Sequence, residues 1–380
     1  EMHSNMIRAY IEGEFSSQVL PEKERYVGNY GIGSEFWETK TDDVKAGVIP
    51  NLKTYLDELA RHYHGTGQKL KKELAAMNGS NDKKAASAAK AGESFVKAAA
   101  YYQQYMRTFP DDPRVPEMIY MRAEALFDGG DHVAAIGEYE KAAYELKHDK
   151  YGADAGYAAL VAYQKHAGDL QKTYGEESPQ LDEWRSRSVD SQLKFVNTYR
   201  EDERSGAVLA KTSEELFALK RYEKALEVAN TVVSGKGNTD SKLYRTAYGV
   251  IAHSQYELGN YAAAEAGYRD QLKYIPEDDG KRETVVERMA ATAYKQGDAA
   301  LQDNDLNTAI GHFLRIKEMA PESDARVAAQ YDAATHMLTL KQWKQALTEL
   351  QELRRKFPDH KLTGDVSQKI AYAYEQDGQW

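Results

Sequence analysis

The chain has 380 residues, 42% of them apolar and 29% charged, with a formal net charge of −10. That balance belongs to a folded chain rather than a disordered one, and it argues against general nucleic-acid binding, which needs a clustered basic surface. The absence of cysteine excludes disulfides, thiolate metal sites and cysteine nucleophiles, and no apolar run approaches the ~18 residues that would read as a bilayer span.

Glu1-Met2-His3-Ser4 leads directly into a polar helical pattern, with no signal-type apolar run. Pro21, Gly28, Gly31 and Gly33 interrupt residues 1–48, which are expected to form an irregular helical segment: a helix over 4–20 and a glycine-kinked helix over 26–48. From residue 49 to 380 the pattern becomes regular. Leu52, Leu56, Leu59, Tyr63 and Leu70 stand at helical spacing and predict a first helix over Ile49–Met77. Asn78-Gly79-Ser80-Asn81 marks a turn, and Phe95, Ala98, Tyr102 and Tyr105 before Phe109-Pro110 predict the returning helix. Gly152–Lys172 and Pro179–Arg200 read as one elongated helix pair over 152–200, with Ser178-Pro179 as a helix-capping dipeptide.

Further along, one unit recurs. Leu258-Gly259-Asn260-Tyr261 is followed by Ala264, Tyr268 and Ile275-Pro276. Asn304-Asp305-Leu306 is followed by Ala309, Phe313, Ile316 and Pro321, and Leu340-Lys341-Gln342-Trp343 by Ala346, Leu350, Leu353 and Phe357-Pro358. The small residues Ala225, Ala264, Ala309 and Ala346 stand 39, 45 and 37 residues apart, whereas Ala135 lies 90 residues before Ala225, two units with one insertion. Trp343 and Trp380 are again 37 apart, so Trp380 is expected to begin the second helix of a unit that continues beyond it. An all-α solenoid of helix-turn-helix repeats follows, with an incomplete last repeat. The 27 tyrosines against nine phenylalanines suit such a thin array, where a ring is buried while its hydroxyl stays wet.

These residues resemble the tetratricopeptide repeat superfamily, whose period is about 34 residues, over roughly residues 90–380. The small first-helix position matches Ala123, Ser213, Ala252, Gly297, Ala334 and Ala371. The turn position matches Gly130, Lys220, Gly259, Asn304, Lys341 and Gly378, and the closing proline Pro110, Pro276, Pro321 and Pro358. The next aromatic matches Tyr222, Tyr261, Trp343 and Trp380, from which His132 and Leu306 depart. Tyr105–Asp111, echoed at Arg355–Asp359, is similar to a form favoured by bacterial cell-envelope proteins such as the outer-membrane barrel-assembly lipoprotein and the Tol–Pal coordinator. The resemblance implies a right-handed α-solenoid that binds proteins and has no catalytic residues or cofactor.

By the same resemblance, the concave, partner-binding face would carry Tyr120, Glu124 and Phe127; Glu214 and Phe217; His253 and Tyr256; Tyr294 and Asp298; Tyr331 and Leu338; and Tyr372. This set is aromatic and acidic, with His253 its only potentially cationic member, and would suit a segment with apolar anchors and some Lys or Arg. The competing reading is that these rings simply pack within the array.

Catalytic signatures are missing: no phosphate loop, no zinc-binding His-Glu-x-x-His helix, no Gly-x-Ser-x-Gly elbow. Gly28–Gly33 reads as a structural turn, and His62 and His64 as solvated histidines near a helix end. Asp111-Asp112, Glu176-Glu177 and Asp278-Asp279 read as turn and helix-start acids. Lysines 69, 71, 72, 83, 84 and 90 read as the solvated face of a hairpin, with contact to an anionic partner or membrane surface as the alternative. The expectation is a non-enzymatic scaffold of a multiprotein assembly, periplasmic in a bacterial envelope, possessing no cofactor, metal or membrane-spanning segment, and with a cytoplasmic location as the alternative. A peptide-capturing receptor or chaperone-like module is the second reading, and a glycan- or peptidoglycan-associated enzyme the third.

Overall fold

The computed structural model describes residues 1–77, 81–146, 150–235 and 240–378, and every regular element among them is helical. The expected turn at residues 78–80 and Trp380 itself lie outside the described residues. The chain divides into two compact units, Glu1–Asp202 and Glu203–Trp380.

The first unit begins with α1 (Met2–Glu12), α2 (Ser16–Tyr30) and two short helices, α3 (Glu35–Thr39) and α4 (Asp42–Ala46). The expected break at Pro21 is absent, because Pro21 lies in the second turn of α2, where its missing N–H removes a single hydrogen bond. The expected helix over 26–48 is replaced by the end of α2 and the two short helices. Ser34 stops the chain from running on by accepting the Trp37 N–H at 3.1 Å and starting α3 afresh.

The long hairpin α5 (Ile49–Ala76) and α6 (Asn81–Thr108) buries Leu52, Leu56 and Leu59 against Ala98, Tyr102 and Tyr105. His62 and His64 fall in the middle of α5 rather than near its end. Two residues apart on a helix they diverge: His62 is exposed, while His64 is buried against Phe95 and Tyr102, which corrects the reading of two solvated rings. Asp112 stands in the turn before α7, as read from the sequence, and is buried there, paired with Lys53 and Arg114. The unit continues through α7 (Val115–Asp128), α8 (His132–Glu140) with a π-helical turn at Lys141–Glu145, α9 (Gly152–Tyr174) and α10 (Pro179–Thr198).

The second unit is an alternation of first and second helices: α11 (Ser205–Ala218) with α12 (Tyr222–Ser234), α13 (Ser241–Glu257) with α14 (Tyr261–Leu272), α15 (Lys281–Gln302) with α16 (Leu306–Met319), and α17 (Asp324–Thr339) with α18 (Trp343–Lys356), closed by α19 (Thr363–Gln376). Each helix packs on the next, and first helices also touch first helices: α11 on α13, α15 on α17, α17 on α19. This is the all-α helical-repeat fold that the spacing predicts.

Two local devices repeat. After α7, α11, α13, α15 and α17 the turn residue adopts a left-handed backbone: Gly130, Lys220, Gly259, Asn304 and Lys341 have φ of 88°, 58°, 78°, 59° and 61°. The following amide reaches five residues back, as in Arg221 N to Leu216 O at 2.9 Å and Gln342 N to Met337 O at 2.9 Å, the Schellman pattern that satisfies the last carbonyls. The second device is a small residue under a ring. Gly297 of α15 lies beneath Phe313 of α16 so closely that a Cβ there would collide with the ring. Ala123, Ser213, Ala252 and Ala334 are fully buried at the equivalent place. Ala371 is exposed, with no following helix among the described residues to pack on it.

Candidate functional site

A cavity of about 540 Å³ opens in the second unit on the side where first helices lie together. α11 contributes Glu214 and Phe217; α13 contributes Arg245, Thr246, Gly249, Val250 and His253; α15 contributes Lys281, Thr284, Val285 and Arg288. Gln271 of α14 and Ile275 complete the wall.

The length of α15 explains this site. Its 22 residues exceed the second helix that follows, and the 45-residue spacing from Ala264 to Ala309 is the corresponding signal in the sequence. A standard repeat places the inward stripe of this helix at Ala291, Tyr294 and Asp298. Continuing that stripe backwards at helical spacing reaches Arg288, Thr284 and Lys281, three of the four α15 residues on the cavity wall. Sequence reasoning misses them by starting the helix too late.

His253 sits at the centre. Arg288 approaches its Nε2 through Nη1 at 2.6 Å, and Tyr268 Oη lies 3.0 Å from its Nδ1. Arginine can only donate, so Nε2 accepts, and Nδ1–H donates to Tyr268. Burial, reinforced by the Arg288 charge, pushes the His253 pKa down to about 4. The imidazole is therefore neutral at pH 7, which corrects the expectation that His253 is the groove's potential cation: the cations are Arg245, Lys281 and Arg288. Phe217 packs on His253 with ring centroids 5.7 Å apart. Partial loss of water, then the neighbouring Glu215 charge, raises the pKa of Glu214 on the opposite wall.

Gly249 leaves room for Gln271. A Cβ at Gly249 would stand 2.5 Å from Gln271 Nε2, which instead donates to Arg245 O at 3.2 Å. Gln271 Oε1 has no hydrogen-bond donor among the described residues.

The other residues of the expected face divide among several places. Leu338 and Tyr372 line a second, more polar cavity of about 410 Å³ between α17 and α19, together with Thr335, Thr339, Asp365, Gln368 and Lys369. Leu338 is itself buried in the core, whereas Tyr372 is exposed and meets Trp343 edge-on at 6.0 Å. Tyr331 stands beside this cavity, its hydroxyl donating to Asp365 and its ring under Lys369 Nζ at 5.2 Å. Between the two cavities, Tyr256 packs on Tyr261, Tyr294 packs on Phe313 and donates to Asp332, and Asp298 pairs with Lys295 at 3.5 Å. In the first unit Tyr120, Glu124 and Phe127 gather around Tyr139, whose hydroxyl donates to Glu124 at 2.5 Å. Tyr120 also stacks on Tyr151 at 4.9 Å. Burial raises the Glu124 pKa, partly countered by the Tyr139 hydrogen bond.

Comparison with known proteins finds that residues 328–360 match the family model "Tetratricopeptide repeat". This segment is similar to a tetratricopeptide repeat. It covers most of α17 and all of α18, and its left-handed turn at Lys341 and buried Ala334 are the features that the preceding helix pairs reproduce. No curated protein matches the sequence. Among solved structures the chain is similar to the TPR2AB domain of yeast Sti1, solved as a pHSP90 complex (19% identity, 85% of this chain and 100% of that one, TM-score 0.32). It is also similar to a tetratricopeptide repeat protein from Parabacteroides merdae (11% identity, 81% and 99%, TM-score 0.31) and to apo RapI (12%, 85% and 98%, TM-score 0.35).

Proposed function

We propose that this protein is a non-catalytic tetratricopeptide-type scaffold that holds a protein segment on the first-helix face of its second unit. The observation that carries this reading is the open cavity walled by α11, α13 and α15, whose side chains come from three successive repeats and converge on one space. A repeat array builds such a surface because each unit packs only on its neighbours and leaves one face of its first helices uncovered. Glu214 is the one carboxylate on the wall among the described residues, so no acid pair is positioned there for glycoside hydrolysis.

A photoreactive residue in place of exposed Thr284 on the cavity wall, compared with one in place of exposed Ala266 on α14, tests the reading. A scaffold gives a discrete protein adduct from position 284 and none from 266. Equal labelling from both positions, or from neither, would sink it.

A peptide-capturing receptor or chaperone-like module is favoured by the discreteness of the cavity. It differs from the scaffold in releasing its ligand: rapid exchange of the crosslinked partner's peptide would support capture, and long residence would support scaffolding. The proposed setting is the periplasm of a bacterial envelope, supported by the Tyr-x-x-x-Phe-Pro-Asp form at Tyr105–Asp111 and compatible with the lack of cysteine. Recovery of the native protein in the cytoplasmic fraction would overturn it. No described helix is long and apolar enough to cross a membrane, so an association with a membrane complex would run through a partner or another anchor.

A further inference from the structure

We infer that the segment held in the α11–α13–α15 cavity is acidic, with Asp or Glu side chains seated on Lys281 and Arg288. The inference rests on the binding surface proposed above and names the chemistry of its ligand.

Three cations line the cavity in a chain whose formal charge is −10. Arg245 is partly neutralised by Asp279 at 3.7 Å. Lys281 and Arg288 make no salt bridge among the described residues, and the one partner of Arg288, His253, is neutral at pH 7 and contributes no counter-charge. The Lys281 and Arg288 heads therefore face one space with no carboxylate paired to them, and Glu214 on the opposite wall is the single acid there among the described residues. The helical stripe Lys281–Thr284–Arg288 spans about 10 Å, the length of roughly three residues of extended chain. An extended ligand with acids two residues apart presents both on one side and reaches both heads.

The rest of the wall selects a polypeptide. Phe217, Val250, Val285 and Ile275 offer an apolar surface for an intervening side chain. The mixture of apolar surface and two cations within one concavity is what a polypeptide with both kinds of side chain matches. A nucleic acid would need a broad basic face, and here the cations are confined to one concavity.

The test is selection of a random ten-residue peptide phage library on the immobilised full chain. Enriched peptides are then measured against Lys281→Gln, Arg288→Gln and the charge-neutral blocking variant Thr284→Trp, with thermal melts by circular dichroism confirming that each is folded. The expected result is enrichment of Asp- and Glu-containing peptides whose affinity falls about tenfold in each glutamine variant and is lost in Thr284→Trp. Peptides blocked by Thr284→Trp yet neutral or basic, and indifferent to the glutamine substitutions, would overturn the acidic ligand while leaving the cavity as the binding surface. Peptides indifferent to Thr284→Trp, or a selection that enriches nothing, would remove the cavity itself and the inference with it. A deoxythymidine oligonucleotide that displaces the enriched peptides and binds at least as tightly would transfer the site to nucleic acid.

Discussion

Arg288 donates to His253 Nε2 at 2.6 Å across the gap between α15 and α13, fixing the imidazole in its neutral form with Nδ1–H toward Tyr268. The His253 pKa stands at about 4 in the folded chain against an ordinary value of 6.5, so between those values the unfolded chain binds the extra proton. Stability contributed at this site is full above pH 6.5 and is lost as pH falls toward 4. Thermal melts of the whole chain should show a decline over that window that His253→Gln reduces. In Arg288→Gln the imidazole NMR titration should move upward, toward the ordinary value. An unchanged titration would mean that the Arg288 charge does not act on this ring.

Phe313 occupies the space that Gly297 leaves by having no Cβ. Gly297→Val should destabilise the protein by about 1–3 kcal/mol through overpacking, and Phe313→Ala by about 3–5 kcal/mol through the void beneath it. Urea midpoints at constant slope would measure both. The combination should cost less than the sum, because the introduced valine would fill part of the vacated space.

Lys220 and Lys341 hold left-handed backbones at φ of 58° and 61°, where a Cβ crowds the chain. Lys220→Gly and Lys341→Gly should each stabilise by roughly 1 kcal/mol, whereas Gly259→Ala, at φ of 78°, should destabilise by a similar amount. Denaturant melts of the three variants check the sign. A destabilised Lys341→Gly would show that its side chain contributes more than its backbone costs.

Arg326 is 2% exposed and spends its guanidinium on Pro321 O at 2.6 Å and Glu352 Oε1 at 3.0 Å, with Phe357 beneath it. Glu352 keeps Lys317 Nζ at 3.3 Å and Gln330 Nε2 at 3.2 Å, so Arg326→Ala acts chiefly by emptying a buried site and should cost about 2–5 kcal/mol. Arg326→Met with Glu352→Gln should recover much of that loss. Equal stabilities of the single and double variants would show that neither the refilled volume nor the removed charge offsets the lost Arg326 hydrogen bonds.

Gly249→Ala should leave the helix at least as stable, since alanine is the better helix former, while pushing the Gln271 amide away from its place 2.5 Å from the new Cβ. Gln271 Oε1 is closed off from solvent, so peptide affinity should hold, and a several-fold fall would show that the glutamine shapes the binding surface. Unchanged affinity would assign the glutamine to structure alone.

Much of this is legible in the sequence because the repeat is written in local chemistry. The turn positions Gly130, Lys220, Gly259, Asn304 and Lys341 align by spacing, and all of them adopt the left-handed backbone. Helix period alone places Ala252, Ala334 and Phe313 inside. The burial of His64 is not legible in this way: two histidines two residues apart look alike in sequence, and only the packing of α6 on α5 decides which one is covered. Arg326 carries no local signal, since its partners Pro321 and Glu352 lie on either side of it in different elements.

The sequence by itself determined the all-α repeat architecture, the turn chemistry and the small-under-large packing, because each depends on residues within about one repeat of each other. It did not determine the character of the candidate site. His253 has the same composition whether it is a cation or a neutral acceptor. What decides is burial first, reinforced by Arg288, which lies 35 residues further along the chain on α15. Electrostatics depend on distance in space and on burial, and only the stacking of α11, α13 and α15 brings those charges into one cavity.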